Sequence, residues 1–271
     1  MTATAAVAQR RRRTRRLSDL EPTLLPLAVL VAVIVLWEGA ARLELVPAFF
    51  FSSPSAIVAS GARNIFEPEF WNDVVVSVQE FVVGYFAAIF FAIPFGLLTG
   101  WFRTPRYLFE PWLAGFNATP RLALLPLVIL WVGLGFMSKA VIVFLGVFFP
   151  VAINTFHGVR TVDKNLLDVS SSFGASGPRR LWTVVLPSVL PFTLVGMRLG
   201  VGRAISGVVV AEYFTAQAGL GHFVFRAGSQ LRTDDLLFGA LFITALALLA
   251  FWAIAIVERR FKAWQPKVGS A

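Results

Sequence analysis

A charged fraction of only 14% and a hydrophobic fraction of 57% in a chain of 271 residues exclude an ordinary soluble domain, in which about a quarter of the residues are charged. The mean hydropathy of +0.75 indicates an integral membrane protein instead. The absence of cysteine excludes disulfides and thiolate metal sites, and the two histidines cannot form a metal site alone. The net charge of +9 does not indicate a nucleic-acid partner, because the basic residues flank apolar segments.

The first 23 residues are predicted to form a basic cytosolic tail. Six arginines lie between Arg10 and Arg16, and the apolar run behind them continues into Trp37 and Glu38 without the small-residue pattern of a cleavage site. We therefore expect the tail to be retained rather than removed as a signal peptide. Contact with anionic lipid headgroups is a second use for the same arginines.

Six apolar segments follow, each compared with the roughly 20 residues that cross about 30 Å of hydrocarbon. They lie at 24–41, 74–100, 107–133, 139–157, 184–211 and 236–257. The stretch 42–73 is too polar to be buried in lipid, and we expect an external loop that can carry a surface helix. The sequence predicts an all-α membrane protein with six transmembrane helices. A first helix and external loop occupy 24–73, a core domain 74–262 and a short cytosolic tail 263–271.

Lysine and arginine counts predict the orientation of these segments in the membrane. With the N-terminus in the cytosol, the inside loops hold sixteen of the 24 basic residues. The outside loops hold the five residues Arg42, Arg63, Lys139, Arg226 and Arg232. Both termini and the polar stretch 162–183 are then cytosolic.

The other three basic residues lie within the apolar segments, where an unpaired arginine is costly. Arg121 follows Asn117-Ala118-Thr119-Pro120, which interrupts the third segment, and irregular backbone at membrane depth survives where it lines a cavity. The alternative is two short helices joined by a surface turn. Arg198 and Arg203 lie in the fifth segment, about 140° apart around the helix, so we expect that they do not both face one pathway squarely.

These arginines, together with Glu212 at the end of the fifth segment, are our candidate pathway residues. The functional hypothesis is that Arg121 and Arg198 help to form an electropositive route for a small anion. The alternative is that an arginine pairs with Glu212 or with a carbonyl of a neighbouring helix and only stabilises packing.

The polar stretch 162–183 predicts a docking element. A short helix begins after Asp163 and presents Leu166, Leu167, Ser170 and Phe173 on one face, and Gly174 can close it in the left-handed conformation. Ser176 or Gly177 can cap a second helix with Pro178 in its first turn. The prolines of Leu186-Pro187 and Leu190-Pro191 predict a bend before the chain enters the membrane.

The spacing of this element resembles the EAA---G---------I-LP loop of binding-protein-dependent ABC importer permeases. Asp168-Val169-Ser170 is followed after three residues by Gly174 and after nine more by Val184-Val185-Leu186-Pro187. The stretches AEYFTAQAGLGHF at 211–223 and FFSSPSAIVAS at 50–60 are similar to the branch that handles nitrate, sulfonate and taurine. The chain departs from the motif at Asp168, Val169 and Ser170, which replace Glu-Ala-Ala.

The resemblance implies a type I ABC importer permease fold in the cell membrane of a prokaryote. It also implies that the loop couples to a cytosolic ATPase through Asp168, Val169, Ser170, Gly174, Ala175, Leu186 and Pro187. ATP and Mg would be bound by that partner, because no G-x-x-x-x-G-K-[ST] stretch exists in this chain and it carries no catalytic residues of its own. The further partners implied are a second permease copy, in a homodimer, and an extracytoplasmic solute-binding protein, and the implied solute is a small anion.

Two other functions are considered. A secondary transporter or channel needs ion-coupling carboxylates at mid-membrane, whereas Glu38, Glu80, Glu110 and Glu212 lie near segment ends. An intramembrane serine protease could use Ser206 with His222, but the sequence around Ser206 lacks the first glycine of that pattern.

Overall fold

The computed structural model describes residues 3–45, 47, 51–215 and 217–261. All regular structure in these ranges is helical, which confirms the predicted all-α class. The helices are α1 (Ala3–Arg42), α2 (Pro54–Asn64), α3 (Pro68–Trp101), α4 (Arg103–Ala118), α5 (Leu125–Val132), α6 (Phe136–Arg160), α7 (Lys164–Ser172), α8 (Gly177–Arg180), α9 (Leu186–Thr215), α10 (Leu220–Ser229) and α11 (Thr233–Phe261). A 3₁₀ turn, Arg121–Leu124, precedes α5, and a π turn, Leu181–Val185, joins α8 to α9.

Five stretches within the described residues are long and apolar enough to cross a membrane. They are Leu24–Arg42, Pro68–Trp101, Phe136–Arg160, Gly177–Phe214 and Thr233–Arg260. The third predicted segment is instead a helix pair, Arg103–Ala118 and Arg121–Val132, bent by 92°. Counting that pair as one span gives the six that the sequence predicts.

The chain divides into two compact units, of which the smaller holds residues 1–64 and 227–238. The indole of Trp37 donates to the carbonyl of Ser52 (2.7 Å), and Glu38 accepts from the backbone N–H (3.0 Å) and hydroxyl (2.8 Å) of Ser55. These bonds tie the end of α1 to the start of α2. The expectation of a surface helix in the loop 42–73 is confirmed by α2.

The larger unit, residues 65–226 and 239–271, is built on close packing of α3, α6 and α9. A Cβ added at Gly96 would lie 2.6 Å from the carbonyl oxygen of Ala152, and one at Gly196 would lie 2.8 Å from that of Pro150. Only glycine permits these approaches, as in other membrane helix pairs with small residues at the interface. Gly196 therefore allows α9 to approach α6 closely.

Three details of the predicted segments are wrong. α3 begins at Pro68 and includes Asp73, which is buried rather than part of a polar loop. Lys139, counted as an outside loop charge, is buried inside α6. No break occurs at Pro187 or Pro191, because the helical path runs on from Gly177 to Thr215.

The π turn explains how the chain avoids that break. Pro187 has no N–H to offer to the carbonyl four residues earlier. In the π turn the N–H of Leu186 donates to the carbonyl of Leu181, five residues back, and not to the carbonyl four residues back as in an α-helix. The helix therefore accommodates the proline by widening locally.

Candidate functional site: an arginine-lined cavity and a coupling segment

The break between α4 and the 3₁₀ turn follows from one proline. Pro120 disfavours helical backbone at Thr119, which adopts an extended conformation (φ −66°, ψ 132°) and ends α4. The chain restarts as the 3₁₀ turn at Arg121 and continues into α5 at an angle of 92°.

This break lines a cavity of about 870 Å³. Its other walls are one stripe of α9 running from Val195 to Gly207, Ile142 and Gly146 of α6, and Phe251 and Glu258 of α11. The expectation that the interrupted backbone lines a cavity is therefore confirmed.

Three guanidinium groups converge on the cavity. Arg121 Nη1 donates to the carbonyl oxygen of Gly146 (3.0 Å), and Arg203 Nη1 donates to Oδ1 of Asn117 (2.9 Å). Arg198 Nη1 lies 3.7 Å from a carboxylate oxygen of Glu258. In the part of the chain that the structure describes, neither Arg121 nor Arg203 forms an ion pair with a carboxylate.

Arg198 and Arg203 both line the cavity, although they lie about 140° apart around α9 and were expected not to face one pathway squarely together. Leu199 and Gly202 lie between them on the helix surface and also line the cavity. The lined stripe of α9 is therefore wide, and the two long side chains enter the cavity from its opposite edges. Of the two packing partners considered, Glu212 forms no ion pair with these arginines among the described residues, whereas a carbonyl of a neighbouring helix does bind Arg121.

The stretch 162–183, which we call the coupling segment, has the helix, turn and helix that the sequence predicts. The side chain of Asp163 caps α7 by accepting from the backbone N–H of Asn165 (2.9 Å). Gly174 has φ +74°, which confirms the predicted left-handed conformation. Arg180 Nη1 donates to the hydroxyl of Ser171 (2.9 Å) and so joins the two helices across the turn.

The predicted apolar face of α7 divides into a buried and an exposed part. Leu167 packs against a cluster of Val159, Val185 and Val189, which anchors α7 to α6 and α9. Leu166 and Val169 are exposed, and Phe173 is 87% exposed.

The remaining motif residues hold the segment in shape. Asp168 is exposed, and the hydroxyl of Ser170 donates to the carbonyl of Leu167 (2.8 Å). The N–H of Ala175 donates to the carbonyl of Ser170 (3.0 Å), which closes the turn at Gly174. Half-buried Leu186 and Pro187 begin α9.

Comparison with known proteins decides the family. Residues 84–263 match the model of the binding-protein-dependent transport system inner membrane component family. The chain belongs to this family. The chain is 32% identical over 249 residues, 90% of each chain, to the taurine transport system permease protein TauC of Escherichia coli (strain K12). It is 30% identical to the putative aliphatic sulfonates transport permease protein SsuC of Bacillus subtilis (strain 168), over 93% of this chain and 90% of that one.

Solved structures show the same fold. A chain of the MetNI methionine ABC transporter in an inward-facing conformation superposes with a TM-score of 0.62 at 18% identity, covering 72% of this chain and 99% of that one. The family match and the relatives show that the protein is an ABC importer permease, a multi-pass transport subunit of a prokaryotic cell membrane. This membership sets aside the secondary transporter and the serine protease. The hydroxyl of Ser206, the serine considered for a protease, donates to the carbonyl of Gly202 within its own helix.

Glu212 does not line the cavity. Its carboxylate is fully buried elsewhere, where Oε1 accepts from the hydroxyl of Ser77 (2.5 Å) and Oε2 from the backbone N–H of Gly221 (2.7 Å). The Ser77 oxygen in turn accepts from the N–H of Leu220 (2.8 Å), and Asp73 accepts from the N–H of Gly219 (2.8 Å). These groups satisfy the free N–H groups at the start of α10.

This network gives a physical reason for the spacing of Glu212, Gly219 and Gly221 in the stretch AEYFTAQAGLGHF. Gly219 has φ +123°, and a Cβ there would lie 2.3 Å from the Glu212 carboxylate. A Cβ at Gly221 would lie 2.3 Å from the carbonyl of Val209. Glu212 therefore folds beneath the Gly-Leu-Gly turn, which tolerates no side chain at either glycine.

Sequence reasoning also missed a buried ion pair. Lys139 Nζ of α6 lies 2.8 Å from Oε1 of Glu80 in α3, and the two residues are 5% and 0% exposed. Glu80 and Glu212, which lie near segment ends in the sequence, are thus both fully buried within the protein. The available signal was a lysine and a glutamate each placed in an apolar segment, which favours pairing.

Proposed function

We propose that the permease forms the translocation path for a small solute that carries a sulfonate group, such as an anionic aliphatic sulfonate or the zwitterion taurine. The observation that supports this best is the convergence of Arg121, Arg198 and Arg203 on one cavity at a broken membrane helix. The named substrates of the relatives TauC and SsuC both carry a sulfonate group.

The charge balance of the cavity favours an anion. Three guanidinium groups and one carboxylate line it, which leaves an excess of two positive charges. Arg121 and Arg203 bind only neutral oxygens through the bonds described above, so both retain donors for a ligand. Arginine suits sulfonate oxygens because its planar fork can donate two parallel hydrogen bonds.

The coupling segment is proposed to dock into a cytosolic ATPase chain, which binds ATP and Mg. Exposed Leu166, Val169 and Phe173 offer an apolar contact surface, and nearby Asp168 and Arg179 are exposed charged residues. Because Leu167 is packed against α6 and α9, movement of the docked segment is transmitted to the helices that line the cavity.

The remaining assembly follows the family pattern. Two permease copies, two ATPase chains and an extracytoplasmic solute-binding protein would form the importer, with both termini and residues 162–183 in the cytosol. The sixteen-to-five charge asymmetry supports this orientation, although Lys139 no longer counts as a loop charge.

The test is ATP-driven uptake of ethanesulfonate by proteoliposomes that contain the permease, its ATPase and its binding protein. Arg121→Gln and Arg203→Gln should each slow uptake by about tenfold, the value of one charge-assisted contact of roughly 1.4 kcal/mol. Arg103→Gln is the matched control, because Arg103 is exposed and lies outside the cavity lining. Equal uptake by all three variants and the wild type would contradict the proposal.

A further inference from the structure

Glu258 is the one carboxylate among the described residues that line the cavity. It lies near the end of α11 and faces Arg198 of α9 at 3.7 Å. The side chain of Arg198 is 57% exposed and that of Glu258 is 21% exposed, so the pair is open on the arginine side and half-buried on the glutamate side. The negative charge of Glu258 is therefore part of the field that an entering solute meets.

The Arg198–Glu258 contact is weaker than the contacts of the other two arginines. Its separation exceeds hydrogen-bond range, whereas Arg121 and Arg203 each donate at 3.0 Å or less. Exposed ion pairs contribute little free energy, because water screens them and both side chains lose freedom. Arg198 is thus the one of the three guanidinium groups whose partner is most easily exchanged.

We infer that Glu258 is the internal counter-ion of the cavity. It neutralises Arg198 while the cavity holds no solute, and the anionic group of the solute takes its place on Arg198 during passage. Glu258 therefore acts as a competitor of the transported anion and sets how strongly that anion must bind. This inference rests on the proposed function and adds the residue that regulates access to Arg198.

The competition can be measured in the full-length permease in nanodiscs. The native chain has no cysteine, so Ser206→Cys, in the cavity lining, gives a single reactive thiol. Increasing ethanesulfonate should protect this thiol from a neutral maleimide, and the half-protecting concentration reports binding. Glu258→Gln should lower that concentration by about threefold to fivefold, the range that an exposed ion pair allows.

A double-substitution cycle separates direct competition from a general charge effect. If Glu258 acts through Arg198, Glu258→Gln should change nothing in the Arg198→Gln background. The matched control Glu110→Gln breaks the exposed pair with Arg160 (3.5 Å), outside the cavity lining, and should leave protection unchanged.

The outcomes distinguish this inference from the proposed function. An equal effect of Glu258→Gln with and without Arg198, or no effect in either, would overturn the counter-ion assignment. If protection of the thiol by ethanesulfonate still depends on Arg121 and Arg203, the proposed anion route would remain supported. Absence of any protection by ethanesulfonate in the Ser206→Cys protein would overturn both.

Discussion

Replacing Lys139 with methionine should destabilise the permease strongly. The substitution leaves Glu80 buried without its cation, and Glu212 lies near enough to interact with Glu80 electrostatically. Oε2 of Glu80 has no hydrogen-bond partner among the described residues, and Lys139 forms the one ion pair of Glu80 there. Removal of one partner of a buried ion pair costs about 3–5 kcal/mol.

The expected shift in melting temperature follows from that cost. At about 2–4 °C per kcal/mol for a chain of this size, the midpoint should fall by roughly 6–20 °C. Thermal unfolding in detergent, followed by circular dichroism, measures it. Arg160→Met is the matched control, because its pair with Glu110 is exposed on both sides and should cost at most about 1 kcal/mol.

The double variant Glu80→Leu, Lys139→Met decides whether the pair itself is responsible. Replacing both charges with apolar side chains removes the uncompensated charge, so most of the lost stability should return. A single variant that melts within about 2 °C of the wild type, or a double variant as unstable as the single one, would refute the reasoning.

The remaining predictions concern packing, the coupling turn and topology. Gly96→Ala should lower stability by about 1–3 kcal/mol, because its Cβ would lie 2.6 Å from a backbone carbonyl; in the same melting assay Gly115→Ala, with open space around it, should not. Gly174→Val should reduce ATP-driven uptake without affecting membrane insertion, since φ +74° is strained for valine by about 1 kcal/mol or more, and normal uptake would contradict the role of this turn. Single cysteines at exposed Ser176 and Ala62 should react with an impermeant maleimide from opposite sides of the membrane, and reaction from one side would reject the proposed topology.

Local features of the structure could be predicted from the sequence. Pro120 acts on the residue directly before it, and Gly174 ends a helix whose start is marked by Asp163, so the break and the coupling turn needed no tertiary information. The resemblance to the loop motif also indicated the cytosolic ATPase as the partner that this turn is proposed to contact.

Features that depend on helix packing could not be predicted in the same way. Lys139 and Glu80 are 59 residues apart and meet only because α3 and α6 pack through glycines. The convergence of Arg121 and Arg203 likewise depends on how the broken span packs beside α9. The helical angle between Arg198 and Arg203 gives the direction of each residue but not the width of the cavity that both line.

The central claim is that the cavity selects anions, and the reactivity of one thiol tests it most directly. In the Ser206→Cys protein, a methanethiosulfonate reagent that carries a sulfonate and one that carries a quaternary ammonium should react at different rates. Arg203 lies three residues away on α9, where Cβ atoms are about 6 Å apart, and two charges at that separation interact by roughly 0.7 kcal/mol even at the dielectric constant of water.

Removing the charge of Arg203 should therefore slow the reaction of the anionic reagent and speed that of the cationic reagent by about threefold each. We predict that the anionic reagent reacts faster in the parent Ser206→Cys protein, and that Arg203→Gln lowers the anionic-to-cationic rate ratio about tenfold while Arg103→Gln leaves it unchanged. A parent protein that reacts faster with the cationic reagent, or a ratio insensitive to Arg203, would contradict the account.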